Sequence, residues 1–324
     1  MEMAYRPLGR CGTRVSVFGL GGWTTYGGTL QDQPLVDRLL HLAFERGVNF
    51  FDTADIYAKG ACETAMGKSF ASLPRQRLVL ASKVFWPMSG DPNDRGLSRK
   101  HIVESVERSL KRLGTDYLDI YFCHRFDAET PVLETLRAMD DLVRQGKVLY
   151  WGTSEWSGER LREVHALARE WRCHAPQVEQ PQHSLLARGR FEGDVLPACL
   201  ELGMGTVLWS PLASGLLSGK YDDGVPADSR LGNPSFEWLR KSLLKDDTLD
   251  RVRRFGAACS RRGLSRSQVA LAWAADRFGV SSVILGATSE AQLLENLEAL
   301  ELRLDDELRR ELDGIFPGTL QATD

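Results

Sequence analysis

A carboxylate and a phenol stand five residues apart in the segment FDTADIYAKG, residues 51–60. Asp52 ends an apolar run, and Tyr57 lies just beyond it. Lys83 and His124 follow two further apolar runs in the same way. Because a buried ammonium needs a counter-charge, we expect Asp52 to pair with Lys83.

These four side chains together are typical of carbonyl reduction, although each alone has an ordinary structural explanation. A lysine beside Tyr57 is predicted to stabilise the phenolate and to lower the phenol pKa from about 10. The phenol would then be a proton donor suited to neutral pH. His124 is predicted to hydrogen-bond the carbonyl oxygen and orient it. In this hypothesis Asp52 pairs with Lys83, and Lys83 lowers the pKa of the Tyr57 hydroxyl.

The surrounding sequence repeats a helix, a glycine and an apolar strand. We predict strands near residues 17–21, 48–52, 78–82, 118–123, 148–153, 176–180, 205–209 and 282–286. Helices are predicted to stop at Gly47, Gly114, Gly146, Gly203 and Gly279, since glycine tolerates the left-handed conformation that ends a helix. Helix starts are predicted at Ser98, at Thr130-Pro131, and at Ser289, which precedes Gln292 in a capping-box spacing. Continuous apolar strands that alternate with helices indicate a parallel sheet.

Two folds satisfy this pattern, a doubly wound sheet and a (β/α)8 barrel. Polar residues lie at or just past successive strand ends: Asp52, Lys83, His124, Ser154, Gln180, Ser210 and Thr288. They would converge on one rim only if the sheet closes, so we predict a (β/α)8 TIM barrel with its active site on that face. Residues 1–324 contain no linker, which predicts a single domain. Residues 214–245, after strand 7, form a stretch long enough to cover the site.

Local motifs for other nucleotide-binding folds fail. GLGG at residues 19–22 follows a strand, but no helix opens after it, so a Rossmann site is excluded. GKS at residues 67–69 lacks the first glycine of a P-loop. No G-x-S-x-G elbow supports a serine hydrolase.

Composition excludes several classes of protein. The 324 residues have a net charge of -3 and no basic block, which argues against nucleic-acid binding. No apolar run approaches the roughly 20 residues that cross a bilayer, and no signal peptide is recognisable. Six scattered cysteines without a C-x-x-C pair, and histidines without ligand spacing, predict neither disulfides nor a metal site. We therefore expect a cytoplasmic protein without membrane insertion.

The chain as a whole resembles the aldo-keto reductases, and within them the subgroup of voltage-gated potassium-channel beta subunits and their plant and bacterial relatives. The matching stretches are FGLGGWTTYGG (18–28), FDTADIYAKGACE (51–63), ASKVFW (81–86), GLSRKHIVES (96–105), LDIYFCHRFDAETP (118–131), YWGTSEWS (150–157), WSPLASGLLSGKYDDG (209–224) and VILGATSEAQLLEN (283–296). These stretches include nearly every predicted strand end, and they occur in the same order as in the family.

The resemblance implies a barrel that binds NADPH or NADP+ in extended form. Asp52, Tyr57, Lys83 and His124 fall on the family's catalytic tetrad, with Tyr57 as general acid. The cofactor contacts it implies are Gly22, Trp23, Asp52, Ser154, Gln180, Trp209, Ser210, Leu212, Ser214, Lys220, Arg230, Gly286, Thr288, Gln292, Glu295 and Asn296. Ser154 and Gln180 would bind the nicotinamide carboxamide, and Trp209 would stack on its ring.

The adenosine end is expected at the start of the last barrel helix, where free N–H groups suit a 2′-phosphate. No acidic residue that would favour a ribose hydroxyl obviously replaces the residues matched at this end, so NADPH is preferred over NADH. Two positions depart from the family. Glu155 stands where many reductases have asparagine and channel subunits have arginine, so it is not assigned as a carboxamide ligand. Thr29 matches the first loop of the cofactor site together with Gly22 and Trp23, but it replaces a glutamine of the channel subunits, and no contact is assigned to it.

The substrate pocket is expected to contain Trp23, Tyr57, Trp86 and His124, and Tyr26, Phe126 and Trp156 are further aromatic candidates. Two functions remain open. The first is NADPH-dependent reduction of an aldehyde or ketone to an alcohol. The second is an auxiliary or redox-sensing NADPH-binding subunit that turns over slowly.

Two features favour the enzyme. Animal channel subunits have asparagine where this chain has His124, and the sequence shows no N-terminal extension that would act as an inactivation peptide. The resemblance also implies a homo-oligomer, since channel beta subunits are tetramers.

Overall fold

Eight parallel strands close into a barrel in the computed structural model, which describes residues 2–227 and 229–318. The barrel strands are β3 (Phe18–Gly21), β4 (Phe50–Asp52), β5 (Val79–Val84), β6 (Leu118–Cys123), β7 (Val148–Ser154), β8 (Val178–Gln180), β9 (Gly205–Leu208) and β10 (Val280–Leu285). They pair in chain order, and β10 returns to pair with β3. The predicted (β/α)8 barrel is confirmed, and each predicted strand end lies within two residues of the observed one.

Helices cover the outside of the barrel. They are α1 (Gln33–Glu45), α2 (Ala61–Phe70), α3 (Arg99–Leu113), α4 (Val132–Arg144), α5 (Gly158–Trp171), α6 (Leu196–Leu202), α7 (Glu237–Leu243), α8 (Asp246–Ser260), α9 (Arg266–Ala275), α10 (Glu290–Glu298) and α11 (Asp306–Ile315). The predicted starts are confirmed: Ser98 caps α3, Pro131 precedes α4, and Ser289 caps α10.

The predicted stop signals are confirmed as well. Gly114 and Gly203 end α3 and α6 in the left-handed conformation, with φ of 66° and 74°. A side chain at those positions would be strained, which is why glycine ends the helix there. The chain can then turn within a few residues into the next strand.

A short hairpin closes the amino-terminal end of the barrel. Its strands are β1 (Tyr5–Pro7) and β2 (Arg14–Ser16), which pair antiparallel. Leu8 and Val15 are fully buried and join the barrel's interior cluster. Gly9 permits this approach, because a Cβ there would lie 2.3 Å from the backbone nitrogen of Gly205. The hairpin was not predicted, since three-residue strands carry no periodic signal.

The long segment after β9 is only partly irregular. Short 3-10 turns occupy Ala213–Ser218, Arg230–Gly232 and Pro234–Phe236, and α7 follows directly. The segment contributes part of the wall of the cavity at the carboxyl ends of the strands. The prediction of a long loop beside the site therefore holds, with one helix added to it.

Candidate active site

A buried ion pair lies beneath the carboxyl ends of two neighbouring strands. Lys83 Nζ lies 2.6 Å from Asp52 Oδ2 and donates a second hydrogen bond to the Thr53 carbonyl at 2.7 Å. The Lys83 side chain is fully buried, so it needs this compensation. The other Asp52 oxygen, Oδ1, accepts from Gln180 Nε2 at 2.9 Å. The predicted pairing of Asp52 and Lys83 is confirmed.

Tyr57 stands above that pair because the chain turns sharply behind it. The turn Tyr57–Gly60 contains Ala58 and Lys59 in the left-handed region, with φ of 48° and 53°. Such conformations are unfavourable for residues with a side chain, and the surrounding structure must enforce them. As a result, Lys83 Nζ lies 4.9 Å from the centre of the Tyr57 ring. The Tyr57 and His124 rings face each other edge-on, 5.8 Å between centres.

The Tyr57 phenol is less acidic than predicted. Burial raises its pKa well above the usual value, and the Asp52 carboxylate raises it further. The predicted lowering by Lys83 is therefore wrong. The reason is geometric: the ammonium binds Asp52 and the Thr53 carbonyl and faces the ring rather than hydrogen-bonding the hydroxyl. Tyr57 is consequently a neutral phenol throughout the physiological pH range.

His124 is a neutral imidazole at the same rim. Burial lowers its pKa well below the usual value, and the charges of Lys83 and Arg125 lower it further. Its Nδ1 is buried and has no hydrogen-bond partner within the described residues. A neutral imidazole can donate one hydrogen bond to a ligand oxygen without itself titrating near pH 7.

A cavity of about 1030 Å³ opens at this rim. Its lining contains most of the predicted site residues: Gly22, Trp23, Asp52, Tyr57, Trp86, His124, Ser154, Gln180, Trp209, Ser210, Leu212, Ser214, Lys220, Arg230, Gly286, Thr288, Gln292 and Asn296. Residues predicted from eight different strand ends and loops thus share one cavity.

Some predicted residues lie elsewhere. Lys83 is buried beneath the cavity and does not line it. Glu295 lies outside the lining and accepts a hydrogen bond from Ser265 Oγ at 3.1 Å. Among the aromatic candidates, Tyr26 lines the cavity, but Phe126 and Trp156 do not, because they pack edge-on against each other with ring centres 5.0 Å apart.

Ser154 and Gln180 stand side by side at the ends of β7 and β8. The register pairs them directly, and Ser154 Oγ donates to the Gln180 carbonyl at 2.8 Å. Because the Gln180 amide nitrogen is held by Asp52, its amide oxygen is the atom left for a ligand. That oxygen has no partner within the described chain, and an incoming N–H group could use it.

Glu155 positions the indole of Trp209. Its Oε1 accepts from Trp209 Nε1 at 2.9 Å and from the Gln182 backbone N–H at 2.5 Å. Its other oxygen pairs with Arg190. Glu155 adopts φ of 59°, a left-handed conformation that is uncommon for residues with a side chain and in which asparagine, aspartate and histidine are enriched. The Glu155 carboxylate therefore binds protein groups in the wall of the cavity rather than a ligand.

The opposite part of the cavity suits phosphate groups. Lys220 and Arg230 line it, and neither forms an ion pair within residues 2–227 and 229–318. Ser210, Ala213 and Ser214 have φ of 58°, 47° and 59°. Successive turns of this kind present backbone N–H groups to an anion. These residues fit the diphosphate of a dinucleotide.

The residues at the beginning of α10 form another part of the cavity wall. The Gln292 backbone N–H donates to Ser289 Oγ at 3.2 Å, as the capping box predicts. Gln292 Oε1 in turn accepts from the Thr288 backbone N–H at 2.9 Å. Asn296 Nδ2 donates to the Gly286 carbonyl at 3.4 Å. Ser289 thus caps the helix, and Thr288, Gln292 and Asn296 line the cavity.

Sequence reasoning missed several residues that line the cavity, namely Thr24, Arg125, Asn233, Phe236 and Trp238. Trp238 is 62% exposed and belongs to α7, within the segment predicted only as a loop. Arg125 directly follows His124, and that position past a strand end was the available signal. Thr29, left unassigned, lines the cavity and donates to the Thr24 carbonyl at 2.6 Å.

Other kinds of site are not found. The described ranges contain no group of three side chains arranged to hold a metal ion. No helix in the same ranges is both long and apolar enough to cross a membrane. All six cysteines are free thiols.

The barrel and its rim define a class of protein. The sequence profile of the Aldo/keto reductase family matches residues 17–316, and the chain belongs to that family. It is thus related to oxidoreductases that generally use nicotinamide cofactors.

Its relatives include proteins named as channel subunits. A "probable voltage-gated potassium channel subunit beta" of Oryza sativa subsp. japonica is 46% identical over 303 residues, covering 93% of this chain and 92% of the relative. One with the same name in Arabidopsis thaliana is 43% identical over 303 residues, with the same coverage. A "putative voltage-gated potassium channel subunit beta" of Schizosaccharomyces pombe is 42% identical over 323 residues, covering 97% and 94%.

Proposed function

We propose that this protein is an NADPH-dependent reductase that converts aldehydes or ketones to alcohols. The observation that carries the proposal is the placement of a neutral phenol and a neutral imidazole, Tyr57 and His124, side by side on one cavity. The Asp52–Lys83 pair lies directly beneath them. Family membership supports oxidoreductase chemistry at this rim.

Bound NADPH would supply the hydride that reduces the carbonyl carbon. Tyr57 would give its hydroxyl proton to the carbonyl oxygen as negative charge develops there. His124 would hydrogen-bond the same oxygen and fix its direction. Lys83 would place positive charge near the phenolate that Tyr57 becomes, and Asp52 would hold Lys83 in place.

The chain's own residues fit that cofactor. Ser154 and Gln180 would bind the carboxamide, and Trp209, held by Glu155, would stack on the nicotinamide. Lys220 and Arg230 supply cations for the phosphates. At the adenosine end, Gly286, Thr288, Gln292 and Asn296 would contact the nucleotide. NADPH is preferred because, among the described residues, no acidic side chain lines this end of the cavity, and Glu290 in the first turn of α10 pairs with Arg38 outside it.

The test is a screen of aldehydes and ketones with purified protein, following NADPH consumption and running NADH in parallel. We expect turnover of at least one reactive aromatic aldehyde, with NADPH preferred by a higher kcat/KM. Lack of turnover for every carbonyl would contradict the proposed reaction. Equal kcat/KM for the two cofactors would contradict only the preference for NADPH.

A second candidate is the role in the relatives' names, that of an auxiliary channel subunit. In that case the protein would bind NADPH tightly and turn over slowly. The presence of His124 beside Tyr57 favours the reductase. Fast multiple turnover would support the enzyme, and one slow turnover without a steady state would support the auxiliary role.

Three further assignments belong to this proposal. We propose a single domain over residues 1–324 in the cytoplasm, consistent with free cysteines throughout. We also propose a homo-oligomer, a tetramer by resemblance to channel beta subunits. Light scattering of the purified protein would give the subunit number directly.

A further inference from the structure

Arg125 places a guanidinium without a counter-ion beside the proposed reaction centre. It follows His124 at the carboxyl end of β6 and lines the cavity. Its Nη1 donates to the His124 carbonyl at 2.5 Å and lies 3.4 Å from Ser154 Oγ. Within the described residues Arg125 forms no ion pair, and its Nε and Nη2 donate to no protein atom.

The neighbouring carboxylates are already committed to other groups. Glu155 pairs with Arg190 and accepts from Trp209. Glu179 is fully buried and accepts from the Thr153 hydroxyl. Both carboxyl groups act on Arg125 only from beyond ion-pair distance. A partly buried arginine that contacts no carboxylate directly is costly unless a ligand supplies the negative charge.

That ligand charge does not come from the cofactor's phosphates. The cations suited to them, Lys220 and Arg230, belong to the segment after β9. Arg125 instead adjoins Ser154, the proposed partner of the carboxamide, which is uncharged. The anion that Arg125 would bind therefore belongs to the substrate.

Trp86 supplies the wall between the cation and the reacting groups. Arg125 Cζ lies 5.8 Å from the centre of the Trp86 ring. The Trp86 ring is 6.3 Å from that of His124 and is 38% exposed. A flat apolar body against Trp86 would have its carbonyl near Tyr57 and His124 and its other end near Arg125.

We propose that Arg125 selects carbonyl substrates that carry a carboxylate or similar anionic group at a distance from the carbonyl. This inference rests on the proposed reductase function and names its substrate class. Two free nitrogens of a guanidinium can bind both oxygens of a carboxylate, which gives strength and direction. A neutral carbonyl compound would use the same reaction centre without that contact.

The experiment compares 4-carboxybenzaldehyde with its neutral methyl ester, using NADPH and the full-length protein. We expect the unmodified protein to prefer the acid. In Arg125→Met, kcat/KM for the acid should fall roughly 10- to 100-fold, mainly through KM. The kcat/KM for the ester should fall several-fold less, because the lost contact with Ser154 affects both substrates alike. Arg125→Lys should retain part of the preference for the acid, because lysine keeps the positive charge but lacks the paired nitrogens that bind both carboxylate oxygens.

Arg162→Met is the matched control. Arg162 is an exposed arginine on α5 that pairs with Glu201 at 2.7 Å, so the substitution changes net charge equally. It should leave both substrates unaffected, and thermal unfolding should show all variants folded. Equal losses for acid and ester in Arg125→Met, or no preference in the unmodified protein, would overturn the inference.

Failure of the proposed reductase function can be distinguished from failure of the anion site. If the unmodified protein reduced no carbonyl compound of the screen, the reductase function would be contradicted, and binding measurements would then test the anion site. Tryptophan fluorescence would measure benzoate and benzamide binding. Tighter benzoate binding that Arg125→Met abolishes would support the anion site, and equal binding of the two would overturn it.

Discussion

The Trp209 indole nitrogen donates to the Glu155 carboxylate across 2.9 Å, which fixes the ring at the wall of the cavity. Trp23 meets the same ring edge-on, with centres 5.9 Å apart. Trp209 is therefore held from two sides before any ligand is bound. Preorganisation of this kind reduces the entropy lost on binding.

Removing the acceptor should loosen Trp209. Glu155→Ala is expected to weaken NADPH binding by roughly 5- to 10-fold, which corresponds to about one hydrogen bond of 1 kcal/mol. The dissociation constant, measured by quenching of tryptophan fluorescence, checks this. Glu155→Gln keeps an acceptor oxygen and should bind within about twofold of the unmodified protein. An unchanged constant in Glu155→Ala would refute the positioning role.

Breaking the buried ion pair should destabilise the fold. Lys83→Met leaves the Asp52 carboxylate buried without its cation, and we expect the free energy of unfolding to fall by about 3–5 kcal/mol. Urea denaturation measures the change. The double variant Lys83→Met/Asp52→Asn should recover most of the loss, since no buried charge remains. A single variant as stable as the unmodified protein would show that water reaches Asp52.

Asp55 should make stability depend on pH. Burial raises its pKa from 3.8 to about 7, and the nearby Glu63 carboxylate contributes. Its Oδ2 accepts from Ser105 Oγ at 2.7 Å, and Oδ1 has no partner within the described residues. Between about pH 4 and 7 the folded state holds a proton that the unfolded state has lost. The Asp55 contribution to stability therefore falls as pH rises through that window and is constant above it.

Asp55→Asn should remove this dependence, because asparagine resembles the protonated acid. The loss of stability between pH 5 and pH 8 should shrink by about 2–3 kcal/mol relative to the unmodified protein, since about two pH units of the window lie below the folded-state pKa of about 7. Urea unfolding at both pH values gives the comparison. Parallel curves for the two proteins would mean that Asp55 titrates normally and that water hydrates it.

The reaction should be insensitive to pH around neutrality. The pKa of Tyr57 is raised by burial and Asp52, and that of His124 is lowered by burial and by Lys83. Neither group changes its charge between about pH 6 and 9, so kcat/KM is expected to be flat there. Rates across that range with a non-ionising aldehyde check this. A bell-shaped profile centred near pH 7 would contradict the assigned protonation states.

The strand ends of the site were predictable because polar residues interrupt apolar runs at regular places. Asp52, His124, Ser154 and Gln180 all follow that pattern, and closing the sheet brings them together. The pattern says which residues share a rim, although not how their charges interact. The Tyr57 pKa was predicted in the wrong direction because burial depends on everything packed around the phenol.

Features that depend on local backbone shape escaped prediction. The left-handed turn at Ala58 and Lys59 uses residues without a turn preference, so nothing in the sequence indicates it. Glu155 was left unassigned because it departs from the family's residue at that position, and its partners, Trp209 and Arg190, are too distant in sequence to indicate its role. Arg125 resembles any solvated arginine until its lack of a counter-ion within the described chain is seen.

The central claim is that Tyr57 donates the proton, and a single-turnover reduction of 4-nitrobenzaldehyde by NADPH tests it most directly. Tyr57→Phe keeps the ring and loses the hydroxyl. We expect its rate to fall roughly 10²- to 10⁴-fold while the dissociation constant of NADPH stays within about threefold. A Tyr57→Phe rate within about threefold of the unmodified protein, at equal NADPH occupancy, would contradict it.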